Sequence, residues 1–413
     1  MLHWTYNWQH RKMITARLLL LAAAARAFQA PATQQRLGPL RVEVFDEATL
    51  LIEQAVEWSR EEHPLAEPCV CETAEPIVTS TIFWSVVNDA CSFPSKEATV
   101  IFDKDDFPAD EWADMVSSLE IEGLTCESLD GPLPSVMVTV DWDAEDAGYL
   151  GDAEADRSVE QLKTWVQDVI VDSKVCPFTR SSEVAATGLE NQGVEKGPIL
   201  YPVCGAVGSG GAALVRVLRA FWGSSIDMLS QPPSEASTVL LSVPAYAERD
   251  HAAFTHMCST IVKTLKHIGA EHQLSLVFFH PDYERAVIEP VDGMMHGHLP
   301  PQAWLRAYVR LTEGEDVASG LSEAQLDKSN AQRRAPFTMI NVLRAEQVAA
   351  AEAVVPWEVI EPEAGRRLRV SGARVYAKNI WRFATDASEK TVDGYGYLVT
   401  GSKAGKGPVV GVS

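Results

Sequence analysis

Short apolar runs that alternate with helix-like segments constrain the fold of this chain more than any other feature. Helical periodicity starts at Ser158 and recurs over 212–222 and 250–268. Short apolar runs that are typical of buried strands lie at 199–204, 238–243 and 274–278. This order predicts an α/β fold with a mixed or parallel sheet flanked by helices, and an α+β fold is the alternative.

The remaining segments suggest a division into parts. A small α+β unit is predicted over 42–147, where short helix and strand patterns carry no chemical motif. An acidic linker then leads to the main domain, 156–354, which contains an insertion at 287–329. The C-terminal extension, 355–413, has a strand pattern over 368–376 and a glycine- and lysine-rich end that we predict to be disordered.

The first 41 residues have the pattern of a targeting sequence. Basic residues, a short apolar run and an Ala-Arg-Ala end predict a secretory signal peptide over 1–27. The apolar run is shorter than the roughly 20 residues that a membrane span needs, so no span is expected in the mature chain. Residues 28–41 begin with Phe28, lack acidic residues and are transit-like. This two-part leader resembles those of algae with secondary plastids, and it predicts the plastid stroma.

Composition limits the partners. The formal net charge of −22 argues against nucleic acid, because binding to phosphates needs a basic surface. The seven scattered cysteines are an odd number and predict reduced thiols rather than a disulfide framework. No CxxC, complete GxGxxG or GK[ST] pattern is present, so no metal and no cofactor are predicted. The sequence does not identify a protein partner.

Two further patterns carry little weight. The glycine-rich turn at 208–211 precedes a helix, as phosphate-binding loops do, but a simple loop is the preferred interpretation. His296 and His298 have a spacing that metal sites use, but the sequence offers no third ligand and the flanking Gly and Pro favour a turn.

The main candidate site is the motif that follows the apolar run at 274–278. In open α/β sheets, ligand sites form outside the carboxyl ends of strands. His280 has the pKa range for acid/base catalysis, and Asp282 would point the same way on an extended chain. Tyr283 adds a phenol. We therefore predict His280, Asp282 and Tyr283 as catalytic residues.

Three separated blocks resemble a family of bacterial and plastid proteins defined as domain-of-unknown-function family 1415. The blocks are Trp165 with Cys176-Pro177-Phe178, then Phe279-His280-Pro281-Asp282-Tyr283, then Asn330 with Arg334, Pro336 and Leu343-Arg344. The resemblance spans about 158–352 and implies no activity. Where the family pattern has His and Glu, this chain has Asn341 and Ala345. If those two side chains do acid/base work in the family, this chain is altered or inactive.

The third block adds candidate ligand-binding residues. Arg334 and Arg344 have guanidinium groups that bind carboxylates or phosphates in a bidentate manner, and Asn330 lies nearby in sequence. With the His280 motif they predict a pocket for a small anionic metabolite. Cys176 is a possible thiol nucleophile, although its place after a helix C-terminus disfavours a thiolate.

Two hypotheses from different classes remain at this stage. In the first, the protein is an enzyme that acts on a small anion through the His280 motif and the two arginines. In the second, it is a non-catalytic binding or assembly module in which His280 and the arginines are structural. Convergence of His280, Arg334 and Arg344 on one open cavity would favour the first.

Overall fold

The computed structural model describes residues 47–381 except 74, 105, 147, 173, 177, 286–296, 354–356, 371–373, 375–376 and 380. The predicted leader and the glycine- and lysine-rich end lie outside the described residues. Among the helices that are described, none is long and apolar enough to cross a membrane.

The first unit is a four-stranded sheet with two crossover helices, preceded by helix α1 (Glu47–Glu62). Its elements are β1 (Glu67–Cys71), α2 (Pro76–Ala90), β2 (Glu97–Phe102), α3 (Ala109–Ser117), β3 (Leu124–Leu129) and β4 (Ser135–Val140). The strand order is β1-β2-β4-β3, with β1 parallel to β2 and β4 antiparallel to both neighbours. Ala55 of α1 packs on Ile101 and Leu133, so α1 covers the outer face of this sheet.

The second unit is built on a five-stranded sheet. It opens with α4 (Asp152–Trp165), which continues as a π-helix (Val166–Asp172). The further elements are β5 (Val184–Ala185), β6 (Gly197–Leu200), β7 (Val207–Gly208), α5 (Gly211–Leu229), β8 (Thr238–Val243), β9 (Ala245–Tyr246), α6 (His251–His267) and β10 (Leu274–Phe279). After a long connection follow β11 (Thr338–Arg344) and a later helix (Ala345–Ala353). The order is β10-β11-β8-β6-β5, with β6 parallel to β8 and β11 antiparallel to both β8 and β10.

The two sheets share one topology. Leaving aside the short edge strand β5, the order β6-β8-β11-β10 repeats β1-β2-β4-β3 with the same strand directions and the same two crossover helices. The helices of the two units pack on each other, α2 on α5 and α3 on α6, between the two sheets. Buried side chains of both units form one continuous hydrophobic core there. The helix layer thus joins the units and leaves the outer face of the second sheet for other elements.

The insertion and the C-terminal extension fold together. The insertion contains α7 (Gln302–Glu313), α8 (Glu315–Gly320) and α9 (Glu323–Asp327), followed by a 3-10 helix (Lys328–Arg333). With these numbered, the helix at Ala345–Ala353 is α10. The extension forms a hairpin of β12 (Glu358–Glu363) and β13 (Arg366–Val370), and its Ile360 and Val370 share a buried cluster with Leu305 of α7. The predicted strand over 368–376 is therefore observed only in its first part, and most of 371–376 lies outside the described residues.

The predicted fold class is confirmed: helices cover mixed sheets, and the small α+β unit precedes the main domain. Some boundary predictions were wrong: the strand predicted over 199–204 is β6 at Gly197–Leu200, and α4 begins at Asp152 rather than Ser158. Gly151 precedes it in extended conformation, Asp152 and Glu154 supply acids to the first turn, and the Ser158 hydroxyl donates to Glu154 O within the helix. All seven cysteines are free thiols.

Candidate functional site

His280 is buried, and both of its ring nitrogens have protein partners. Its side chain has no exposed surface. Nε2 lies 2.8 Å from the Ala247 carbonyl oxygen, and Nδ1 accepts the Asp282 backbone N–H at 3.1 Å. The ring packs against Phe254, with centroids 4.7 Å apart. Burial lowers the pKa of His280, so the neutral imidazole is favoured. The ring fixes the chain around it and has no face toward a ligand.

The motif forms a turn, and this turn separates its side chains. The Tyr283 N–H donates to the His280 carbonyl at 3.1 Å, with Pro281 at the second position, where its fixed φ suits a turn. The chain is therefore not extended, and the prediction that Asp282 points with His280 was wrong. The Asp282 carboxylate is half exposed and lies 3.6 Å from the Arg249 guanidinium.

Tyr283 is a structural partner of the segment that follows the undescribed residues. Its hydroxyl accepts the Leu299 N–H at 2.9 Å and lies 3.2 Å from Nδ1 of His298. The ring is completely buried, and burial raises the pKa of its phenol. Tyr283 thus holds the 297–299 segment against the sheet. His296, the other member of the predicted His pair, lies outside the described residues.

Arg344 lies at the opposite end of the sheet from His280. In the antiparallel β10–β11 pair, Arg344 is opposite Leu274, whereas Met339 is opposite Phe279, the residue before His280. Five residues of strand separate the two positions by about 17 Å. The Arg344 guanidinium donates to the carbonyls of Met228, Gln231 and Ala236, at or just after the C-terminus of α5. It caps that helix.

The other two predicted ligand-binding residues, Arg334 and Asn330, lie in or beside the 3-10 helix whose Arg333 carbonyl accepts the His280 backbone N–H. Arg334 is exposed and ends the 3-10 helix. Asn330 is buried within that helix, and its Oδ1 has no hydrogen-bond partner. His280, Arg334 and Arg344 therefore do not converge on one cavity. The physical reason is strand direction: an antiparallel β11 brings its start, not its end, to the His280 side.

A cavity of about 350 Å³ lies on the outer face of the second sheet. Its floor is formed by strand side chains, and its walls come from the α4–π-helix segment, the 175–189 loop and α10. The lining is mostly apolar and includes Trp165, Val166, Ile170, Phe178, Ile199, Leu240, Val277, Phe279, Leu343 and Val348. Its size lies in the range of small-molecule sites, which are concave, mainly apolar and have a few placed polar groups. The π-helix contributes Val166 and Ile170, and such rare turns often occur at functional sites.

Most polar groups around the cavity are bonded to the protein. The Thr238 hydroxyl lies 2.7 Å from the Val342 carbonyl and 3.0 Å from Oδ1 of Asn341. Gln347 donates to the Ser237 hydroxyl, and Asn379 of the C-terminal extension donates to Val175 O at 2.9 Å. These groups shape the cavity and have little capacity left for a ligand.

Two lining residues have hydrogen-bond donors without a partner, and both groups are N–H. The buried Nε of Arg333 and the indole Nε1 of Trp165 are unsatisfied. Both side chains contact the Phe279 ring: the Arg333 guanidinium lies 5.4 Å from its centroid, and Trp165 meets it edge to face at 5.4 Å. Unpartnered indole N–H groups also occur in the helix core, so the Trp165 N–H is not specific to this cavity and Arg333 is the more informative group. Among the described lining residues Arg333 is the only cation, and the only acid, Glu352, is exposed.

Cys176, the possible thiol nucleophile, lines this cavity. Its Sγ is 3.4 Å from the Thr179 hydroxyl, which donates to it. No histidine is found among the described lining residues, so no base is placed to make a thiolate. Within the described part of the chain, no group of three metal-binding side chains is present either.

Comparison with known proteins supports the resemblance to a family. Residues 157–292, about a third of the chain, match the family described as "Protein of unknown function (DUF1415)". The second unit resembles that family. The DUF1415 match contains the first two blocks and ends before the third. No curated protein and no solved structure matches the chain.

Of the two adjacent arginines, Arg333 lines the cavity and Arg334, the one predicted from the sequence, does not. The 3-10 helix turns Arg333 toward Phe279 and leaves Arg334 in solvent, and a Lys-Ser-Asn-Ala-Gln-Arg segment carries no pattern from which that rotation can be read. The cavity has no motif of its own, because its lining side chains come from many separate segments between Trp165 and Asn379.

Proposed function

We propose that this protein binds a small molecule in the cavity on the outer face of the second sheet, and that the ligand has an apolar body and an acidic group. The observation that carries the proposal is the Arg333 guanidinium at a mostly apolar cavity, where its buried Nε has no hydrogen-bond partner among the described residues. A partly desolvated cation that has no ion-pair partner in the described part of the chain favours an anionic ligand. The small anionic metabolite predicted from the sequence is retained, with Arg333 in place of Arg334 and Arg344.

The polar side chains of the motif and of the cavity favour binding over catalysis. His280 and Tyr283 already use their polar atoms within the protein. At the cavity itself, the family-pattern histidine is replaced by Asn341, and an amide does not transfer protons near neutral pH. The second of the two sequence hypotheses, a non-catalytic binding module, is therefore the one that this geometry supports.

The proposal is tested by ligand binding to matched variants. We expect aromatic and aliphatic monocarboxylates of about six to twelve carbons to raise the thermal midpoint, since a ligand that binds the folded state stabilises it. The corresponding amides and alcohols serve as neutral probes. Arg333→Gln should remove the preference for the acid, about a tenfold loss in affinity, because charge-assisted hydrogen bonds contribute at least 1.4 kcal/mol. Arg334→Gln, one residue away and exposed, is the matched control.

A second pair of variants tests the cavity itself. Val277→Phe fills the space above β10 and should abolish binding of acids and neutral probes alike. Val359→Phe makes the same change at an exposed position on β12, outside the lining, and should have no effect. Equal losses in the Arg333→Gln and Arg334→Gln variants, or unaltered binding by Val277→Phe, would refute the proposal.

We also propose that the leader delivers the chain to the plastid stroma. The leader pattern of residues 1–41 supports this, and free thiols are compatible with a reducing compartment. A fluorescent protein fused to residues 1–41 should accumulate in the stroma of an alga with secondary plastids. Secretion of the fusion protein would exclude the plastid stroma as its destination.

A further inference from the structure

The helix layer between the two units has the features of a self-association surface. We infer that α5 and α6 of the second unit form a surface that binds a copy of their own fold, and that the first unit is such a copy, joined in the same chain. The inference starts from the identical strand order, strand directions and crossover helices of the two units. It is independent of the cavity and its ligand.

Side chains at corresponding positions match as well. The first crossover helix of each unit contains a Phe-Trp pair, Phe83-Trp84 in α2 and Phe221-Trp222 in α5. All four side chains are fully buried. Within each pair the rings meet edge to face, with centroids 5.2 Å apart in α2 and 4.8 Å apart in α5.

The second crossover helices carry the same types of buried residue at the same positions. Counted from the first residue of each helix, an aromatic residue occupies position four and Met occupies position seven: Trp112 and Met115 in α3, Phe254 and Met257 in α6. All four are buried in the shared core. Shared topology together with shared core positions indicates that the two units are copies of one fold.

Each helix at the interface meets its own counterpart. Helix α2 packs on α5, where Asp89 Oδ1 lies 3.5 Å from the Arg219 guanidinium. Helix α3 packs on α6, where the Thr264 hydroxyl lies 3.8 Å from Met115 Sδ. Contact of equivalent elements with each other is the property of a two-fold, isologous interface. A pair of unrelated domains has no reason to show it.

The same alignment predicts how two second units would meet. Matching the Phe-Trp pairs places Asp227 of α5 at the position of Asp89 in α2. Two second units would therefore bring Arg219 of each to Asp227 of the other, so the ion pair seen within the chain would form twice. Half-exposed ion pairs contribute little, so they orient the pair while the buried helix faces hold it together.

The units differ on their outer faces. In the first unit five residues, 130–134, connect β3 to β4, and α1 covers the sheet. In the second unit 58 residues, 280–337, connect β10 to β11, and the outer face carries the cavity. The two units therefore differ in what covers the outer face of each sheet, and the chain carries both halves of a two-fold assembly.

Cutting the intact chain between the units tests this inference. A protease site inserted after the exposed Glu145 allows the folded protein to be cut, and native mass spectrometry then reports which halves remain paired. Cut protein labelled with ¹⁵N is mixed with unlabelled cut protein in dilute urea, so that halves can exchange. Scrambling of label among first–second pairs shows that exchange has occurred.

We expect pairs of two second units to appear during this exchange. The mass spectrum should show three such species, with neither, one or both units labelled. Arg219→Asp places like charges together twice in such a pair but once in a first–second pair, so it should reduce second–second pairs several-fold more. The inference is overturned if first–second pairs scramble completely while second–second pairs stay absent. It is also overturned if the halves unfold when cut, because the helix layer is then one fused core rather than an interaction surface.

Discussion

Replacement of His280 separates a catalytic role from a structural one. If His280 worked on a ligand, His280→Ala would abolish binding or turnover and leave stability nearly unchanged. The geometry predicts the reverse. The ring is completely buried, its two nitrogens bond to Ala247 O and Asp282 N–H, and it packs on Phe254.

The size of the effect follows from these contacts. Each hydrogen bond contributes about 1 kcal/mol, and truncation leaves the two backbone groups without partners. Loss of the ring also creates a cavity beside Phe254, which adds about 2 kcal/mol by analogy with other large-to-small core changes. We therefore expect His280→Ala to lower the free energy of unfolding by about 3–5 kcal/mol. His280→Asn keeps an acceptor for the Asp282 N–H and should lose roughly half as much.

Urea denaturation followed by tryptophan fluorescence measures this series, and His272→Ala at an exposed position is the control, expected within about 0.5 kcal/mol of the parent. Binding to the folded variant should survive. The His280 backbone N–H donates to Arg333 O at 3.1 Å whatever side chain is present, and His280 does not line the cavity. A His280→Ala protein that keeps its stability and loses ligand binding would refute this reasoning.

Two further predictions concern the same buried groups. Arg344→Met removes the donors to three carbonyls near the end of α5 and should cost about 3 kcal/mol in urea denaturation, whereas Arg334→Met should cost less than about 0.5. Because the folded pKa of His280 is lowered, the unfolded state binds more protons as pH falls below about 6.5, so stability should decrease on acidification by up to about 1.4 kcal/mol per pH unit from this group. Unfolding measured from pH 7.5 to 5.5 should lose that slope in His280→Asn, and an unchanged slope would contradict the assignment.

Local patterns were sufficient to predict some elements of the fold but not how the strands pair; the helix at Pro76–Ala90, for example, was not predicted. The strands at β8 and β10 and the helix α6 follow from apolar runs and helical periodicity, and they lie where the sequence predicted them. Such patterns do not show whether two strands pair in parallel or antiparallel. Because β11 is antiparallel, Arg344 lies at the end of the sheet away from His280. The turn at Pro281 directs the Asp282 side chain toward solvent. Both errors came from treating neighbours in sequence as neighbours at a site.

The repeat of the fold was hidden for a different reason. The two units share strand order, but their last connections differ in length more than tenfold, and their common residues are core positions rather than a motif. Buried Phe, Trp and Met at helical spacing are expected of any buried helix, so they predict packing and do not indicate a common origin of the two units. The strand order, which is known from the structure, is what identifies the equivalent position in the other unit for each of these residues.

The motif that first suggested a site positions the residues around the cavity. Phe279 supplies the ring against which Arg333 and Trp165 lie. The next residue, His280, holds the Arg333 carbonyl with its N–H, while its ring fixes the Ala247 loop. Tyr283 then ties down Leu299, which lines the cavity. A chemically suggestive set of side chains can therefore be structural: here it positions residues of the cavity in which we propose that a ligand binds.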